Sequence, residues 1–429
     1  MRAPASHSGG SAAHDLPWAG RWAVVTAVGA SFVTLMLASP VTRATHIDPT
    51  KPTTIVVGPS PGIAPMARID GGRSGRSHHP LPEHPRITWR RSGRGGLDFI
   101  ALAVDARGAI LAPSATLPLL SQISAEGNEG WRASTGAGPS VTGVVILGDG
   151  TRLFVTSAGE ARGFSPEGSL RFVTPLDLQE RNARVGLLPL DDGGAAIAAG
   201  HEVVEIDGNG RLRQRTRLGE RTTGALVATL AGTIATASSG TVYLARPGYA
   251  KRLGALGGDP SESGASTPDG RTLWAVVDHQ RVVALDLTSG ATEIRFAVTD
   301  QSLHGPVVFG RGDSFVFTTW TGVLISVTAS GTDVRRTPLE PRFATLITDA
   351  GKVDFTALDE SPAPVTDDEG RTAFARVGGR MGTVASDGTI NLVAGPSCSS
   401  PSALAPAGAH RMVVGCRDGS ILMIEETSP

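Results

Sequence analysis

The stretch VVALDLTSGATEIRF, Val282 to Phe296, reads as a β-strand, a tight turn through Gly290 and a second strand. Its Val, Ile, Leu and Thr content suits a pleated, half-buried surface, and the Ser-Gly pair breaks it where a hairpin must turn. The same shape returns about every forty residues. Val144 to Leu176, VVILGDGTRLFVTSAGEARGFSPEGSLRFVTPL, is the template: strand, turn, strand, turn, strand, turn, strand. Further copies begin at Ala101, Leu187, Ala225, Ala265, Pro306 and Ala363. The wider gap before Ala363 is filled by an insertion, Arg342 to Glu360.

A four-stranded antiparallel sheet with two apolar faces cannot bury either face alone. Arranged radially, each sheet covers its neighbours and only short edges stay exposed. The pattern therefore predicts an all-β propeller. The chain's last copy, Ala403 to Glu426, supplies only three strands, and Arg86 to Arg91, RITWRR, supplies the missing outer one, its Trp89 mirroring Trp131 of the first copy. Counting this shared closing blade gives eight, with seven as the alternative.

ALDLTSG, Ala284 to Gly290, resembles the A-x-D-x-x-T-G turn of the pyrroloquinoline-quinone-like propeller repeats, with Ser289 in the place of the Thr. Gly127 to Trp131 fits the G-x-x-x-W continuation of that repeat, and Ile294 stands where a Trp is expected. The resemblance covers residues 86 to 426 and implies eight blades. It extends to quinone-dependent dehydrogenases and to the scaffold propeller of bacterial outer-membrane assembly. The dehydrogenases use a disulfide of adjacent cysteines, a calcium ion and an Asp base. This chain has no Cys-Cys pair and only 6 Trp, too few for one in every blade. The implied membership is non-catalytic, with no cofactor.

A chain of 429 residues with 40% apolar content is long enough for a large core, and a formal net charge of −1 gives no electrostatic footprint for nucleic acid. Lys occurs only at Lys51, Lys251 and Lys352 while Arg and Gly abound, the bias of a GC-rich, bacterial genome. From Trp22 to Ser39 the chain is uncharged, preceded by Arg2 and Arg21. This predicts residues 1–21 as a cytoplasmic segment and 22–41 as a transmembrane signal-anchor, or a cleaved signal peptide with the propeller secreted. Residues 45–85, rich in Pro, Gly and Ser, are expected to be a disordered tether, and 86–427 the propeller. The G-x-S-x-G letters at Gly58 to Gly62 lie in that tether beside Pro59 and Pro61, without the strand and helix a nucleophile elbow requires. His78, His79 and His84 belong to the same segment.

Other candidates read as turn chemistry. Asp191 and Asp192, and Asp367, Asp368 and Glu369, precede glycines at hairpin tips, where Asp caps its own backbone; they lack the alternating ligands of a calcium loop. Arg311-Gly312-Asp313 spells the adhesion tripeptide at another tip, and His201, His279, His304 and His410 fall near turns or strand starts. No catalytic, cofactor or metal residue is expected. Cys398 and Cys416, the 2 cysteines of the chain, are predicted to form a disulfide in the last blade. If Ala405 faces Arg411, Cys416 lies opposite Ser400, within two residues of Cys398. The function expected is an exported, membrane-tethered module binding a protein or glycan on one propeller face. The alternative is an enzyme at the channel mouth, and a metal-ligating cluster on the axis would favour it, whereas an apolar or aromatic patch on the rim would favour binding.

Overall fold

The computed structural model describes residues 62–92, 95–97, 101–136, 138–178, 184–260, 264–298, 303–311, 314–328, 330–339, 361–394, 398 and 400–427, save the side chains of 304 and 305. The expected anchor, residues 45–61, the Gly312-Asp313 pair and the insertion lie outside them. Among the described residues there is no helix, and none long and apolar enough to cross a membrane.

The chain is an eight-bladed propeller. From the axis outward, blade 1 is Ala103–Asp105, Ile110–Pro113, Leu119–Ile123 and Glu129–Ser134. The first strands of blades 2 to 8 are Val145–Ile146, Val185–Pro189, Thr222–Thr229, Ala265–Ser266, Leu303–Phe309, Val365–Asp367 and Pro401–Gly408. Each touches the next, and the last touches the first, so the ring closes. The expected starts of the copies all fall on or beside these strands.

Sequence composition explains the radial order. Second strands are largely buried, and wholly so in Ala195–Ala199 (AAIAA) and Phe315–Thr319 (FVFTT), because neighbours cover both faces. Outer strands alternate or are largely exposed, as in Leu170–Pro175 (LRFVTP), whose Arg171 reaches Asp149. The apolar clusters run across blade boundaries: Val155, Ile197 and Leu226 of blades 2, 3 and 4 share one, and Trp274, Phe309 and Phe315 of blades 5 and 6 another, each buried side chain contributing about 1.5–3 kcal/mol. A buried pair, Arg152 to Asp105 at 3.0 Å, ties blade 2 to blade 1.

Closure follows the expectation. Pro85–Arg91 runs antiparallel to Ile421–Glu426, from Pro85↔Glu426 to Arg91↔Ile421, with a bulge between Ile87 and Trp89. The Trp89 indole N–H donates to Ala125 O at 2.9 Å, and its ring lies on Gly127 of blade 1. Trp131 repeats the arrangement on blade 2, donating to Pro166 O at 2.8 Å with its ring on Gly168, and Phe172 lies on Gly210 of blade 3. The G-x-x-x-W pairing is therefore a lock between consecutive blades, and a Cβ on the glycine has no room.

Two details differ from expectation. The first strand of blade 8 runs from Pro401 to Gly408, and Ala405 faces Val413 rather than Arg411. Irregularities between Pro401 and Ala403 and between Pro406 and Gly408 shift the register, so Pro401 lies opposite Cys416. The second is larger. Residues 62–85, expected to belong to a disordered tether, are placed against the blades: Gly62–Ala64 adds a fifth strand inside blade 1, and Arg76–Ser77 pairs in parallel with Val365–Asp367 of blade 7.

At Gly127, φ is +82° and an added Cβ would lie 2.8 Å from the Trp89 ring. Gly127→Val is expected to cost about 2 kcal/mol or more, read as a lower urea midpoint. Gly148→Val, at a position open to 4 Å, should leave the midpoint nearly unchanged.

Candidate functional site

The innermost strand of each blade has a free edge facing the axis, so its N–H and C=O groups need partners. At one mouth of the channel the chain supplies them itself. Ile146 N–H donates to Pro65 O (2.8 Å), Ala228 to Gly71 (2.7 Å), Ser266 to Gly72 (2.9 Å), Phe309 to Ser74 (2.9 Å), Thr366 to Gly75 (3.1 Å) and His410 to Pro80 (2.6 Å). Each donor stands within two residues of the end of a first strand, beside that blade's first hairpin. Residues 62–81 thus form a belt that visits blades 1 and 2, then 4 to 8, in order round one mouth.

The belt's composition serves this path. A Cβ on Gly71 would lie 3.2 Å from Ala228 Cβ, and one on Gly72 would lie 2.8 Å from Ser266 Oγ. Arg68 donates to Gly264 O (3.3 Å) and to Val307 O, and Arg73 to Leu226 O (3.4 Å). Ala64, Met66, Ile69 and Leu81 are buried. Arg68, Ile69 and Arg73 hold φ of 62°, 76° and 57°, a region costly for residues with a Cβ.

In the acidic clusters Asp367 and Asp192 cap their turns, as expected. Buried Asp367 accepts from Glu369 N (3.0 Å) and Arg371 N (2.8 Å) of its own turn, and also from Leu81 N of the belt (2.9 Å). Asp368 pairs with Arg76 at 2.7 Å and with His78 at 3.4 Å. Asp192 caps Gly194 N at 3.0 Å and meets Arg213. His201, His279 and His410 do not converge: His410 sits on a first hairpin, while His201 and His279 sit on second hairpins, at the opposite end of the strands, and the side chain of His304 lies outside those described. His279 lies edge-on to Trp320 at 5.5 Å, and its Nδ1 is 3.3 Å from Leu303 O, which also accepts the Trp320 indole N–H. Among the described residues no three His, Cys, Asp or Glu side chains are grouped to hold a metal.

Cys398 and Cys416 are buried, with Cα atoms 6.1 Å and sulfurs 2.17 Å apart. A cavity of about 140 Å³ lies between blades 2 and 3, lined by Thr156, Glu160, Pro175, Asp177 and Val185. It is well short of the ~300 Å³ at which small-molecule sites begin.

Sequence reasoning missed the belt and the exposed apolar residues of the rim. Leu170, Leu212 and Tyr249 open the outer strands of blades 2, 3 and 4, each just after the third turn, and are 51%, 51% and 58% exposed; Ile294 of blade 5 is 54% exposed. Aligning the copies on their third turns is the signal that finds the first three at the start of an outer strand, Leu170 and Leu212 in one register opposite Phe164 and Ile206, and Tyr249 opposite Arg246.

No family model matches the chain, and no curated protein matches it. Among solved structures, BamB from Moraxella catarrhalis is similar with a TM-score of 0.59 and 14% identity, over 80% of this chain and 98% of that one. The computationally designed Ika8 protein gives 0.59 and 12%, over 81% and 98%. Virginiamycin B lyase from Staphylococcus aureus, at 0.49 and 14% over 80% and 98%, is too distant to bear on this chain. At these identities the likeness is one of fold, and the fold that the pyrroloquinoline-quinone-like repeats implied is the one found.

The caps set an acid limit. The carboxyls of Asp207, Asp286 and Asp387 are held below the usual range, first by the backbone N–H groups of Arg211, Ser289 and Thr389, which bond the charged form. A folded-state pKa below the unfolded value adds stability that is complete above the unfolded pKa, about 4, and is lost as pH falls through the folded one. The melting temperature should hold from pH 7 to 5 and drop below about pH 4. Asp207→Asn should lower it at pH 7 and flatten the acid slope; an unchanged slope would remove this cap from the account.

Proposed function

We propose that the protein is an exported propeller, tethered to the membrane through residues 22–41, that binds a protein partner on its rim without catalysing a reaction. The observation that carries this reading is the recurrence of exposed Leu170, Leu212 and Tyr249 as the first residue of the outer strand in three consecutive blades. Isolated exposed apolar residues are ordinary, but the same exposure repeated along a rim marks an interaction surface. Arg217, Lys251 and Arg252 stand exposed on the same outer strands, so a partner with apolar and acidic side chains suits it better than a glycan does. A photo-crosslinking residue at Ile294 should trap one protein adduct. Replacing Leu170, Leu212 and Tyr249 together by Glu should abolish the adduct while the melting temperature moves by no more than about 2 °C. An undiminished adduct would sink the rim as the surface.

Export is supported by the uncharged run Trp22 to Ser39 behind Arg2 and Arg21, and by the approach of Cys398 to Cys416. We propose that these cysteines are oxidised to a disulfide, which joins the approach to blade 8 to its second strand. The bond closes a loop between residues 18 apart and is worth roughly 3 kcal/mol in the chain-entropy model. Protein denatured without reduction should show no reactive thiol, and a reporter fused after Thr427 should be active only outside the cytoplasm. Two labelled cysteines would rule out the bond, and a cytoplasmically active reporter would rule out export.

A further inference from the structure

We propose that the first-hairpin mouth of the channel is a binding site for an extended polypeptide, which residues 62–81 occupy in cis and vacate as a unit. The six N–H donors of Ile146, Ala228, Ser266, Phe309, Thr366 and His410 come from six blades and converge on one circumference. Vacated, they form a circle of strand-end donors that a single small molecule does not span. A polypeptide presents carbonyls in sequence along such a path, and the belt shows the match: Gly71, Gly72, Ser74 and Gly75 answer blades 4, 5, 6 and 7 in turn.

The site also states what it selects. A Cβ would be tight against Ala228 Cβ at the first of two consecutive positions and would clash with Ser266 Oγ at the second, so the site favours a ligand with small residues there. Carbonyls of Leu226, Gly264 and Val307 accept from Arg68 and Arg73, which favours cationic side chains on either side of the small pair.

Release is favoured by the way the belt is held. From Pro65 to Ser74 it meets blades 2, 4, 5 and 6 through one backbone bond each rather than a ladder, and Arg68, Ile69 and Arg73 pay for left-handed backbone. It precedes the closing strand Pro85–Arg91, so its departure gives up the added strands Gly62–Ala64 and Arg76–Ser77 but leaves the four strands of every blade paired. Segments that open separately from the core exchange their amides as a group. This site is distinct from the rim proposed above and does not depend on it.

The test uses the full chain. Hydrogen exchange should show the six donor amides opening together, at one rate at least tenfold faster than second-strand amides such as Val276 and Val413. A fluorescent synthetic peptide of residues 62–81 should bind Gly72→Val, whose belt is displaced by Ser266, at least tenfold more tightly than it binds the unaltered protein. Arg68→Ala with Arg73→Ala provides the same comparison without a steric insertion, should Gly72→Val fail to fold. Two results overturn the proposal: donor amides that each exchange with their own blade, or amides that open together while the peptide binds no better than a scrambled one.

Discussion

Each blade has two apolar faces, and neither is buried until the neighbouring blade is in place. The ring must therefore close, and closure rests on one antiparallel pairing, Pro85–Arg91 with Ile421–Glu426. No covalent bond crosses it, so its stability comes from the ladder and from what grips its ends. Trp89 grips the next blade across Gly127, and Glu426 accepts from the backbone N–H of Glu83 and His84. The aromatic-on-glycine lock passes from blade 8 to blade 1, to blade 2 and to blade 3, stiffening the arc that carries the N-terminal half of the seam.

The belt adds a second closure at a smaller radius. A pairing at the outer edge resists separation of blades 8 and 1, whereas contacts around the axis resist the splaying of any blade. Asp367 joins the two systems, since one buried carboxylate holds its own hairpin and the N–H of Leu81, four residues ahead of the closing strand. Cys398 and Cys416 sit in the same apolar cluster as Leu81 and Ile424, so the seam, the belt's end and the cysteines share one core.

What was legible in the sequence was what repeats. Strand and turn residues recur in every copy because each blade solves the same burial problem, so the period, the count of eight and the shared last blade could be read from letters alone. Register in blade 8 was not legible, because the irregularities at Pro401 to Ala403 and Pro406 to Gly408 leave no periodic trace. The belt was read as a tether for a physical reason: it forms one or two bonds with each of many blades, so it has no period of 2 to detect. Its glycines, which signal flexibility in composition, are there for close approach to Ala228 and Ser266.

The candidate surfaces share that difficulty. In a propeller, residues at one position of successive blades lie about forty apart in sequence, so a surface built from Leu170, Leu212 and Tyr249 never appears as a motif. The same holds for the six donor N–H groups, which belong to the backbone and have no side-chain signature at all. Function on such a fold is carried by position within the repeat rather than by residue clusters along the chain. A reading that looks only for grouped His, Asp or Cys examines hairpin tips, where Asp207, Asp286 and Asp367 already serve their own turns. Comparing equivalent positions instead separates the residues that every blade needs for burial from those that one arc keeps exposed, and only the second set calls for a partner.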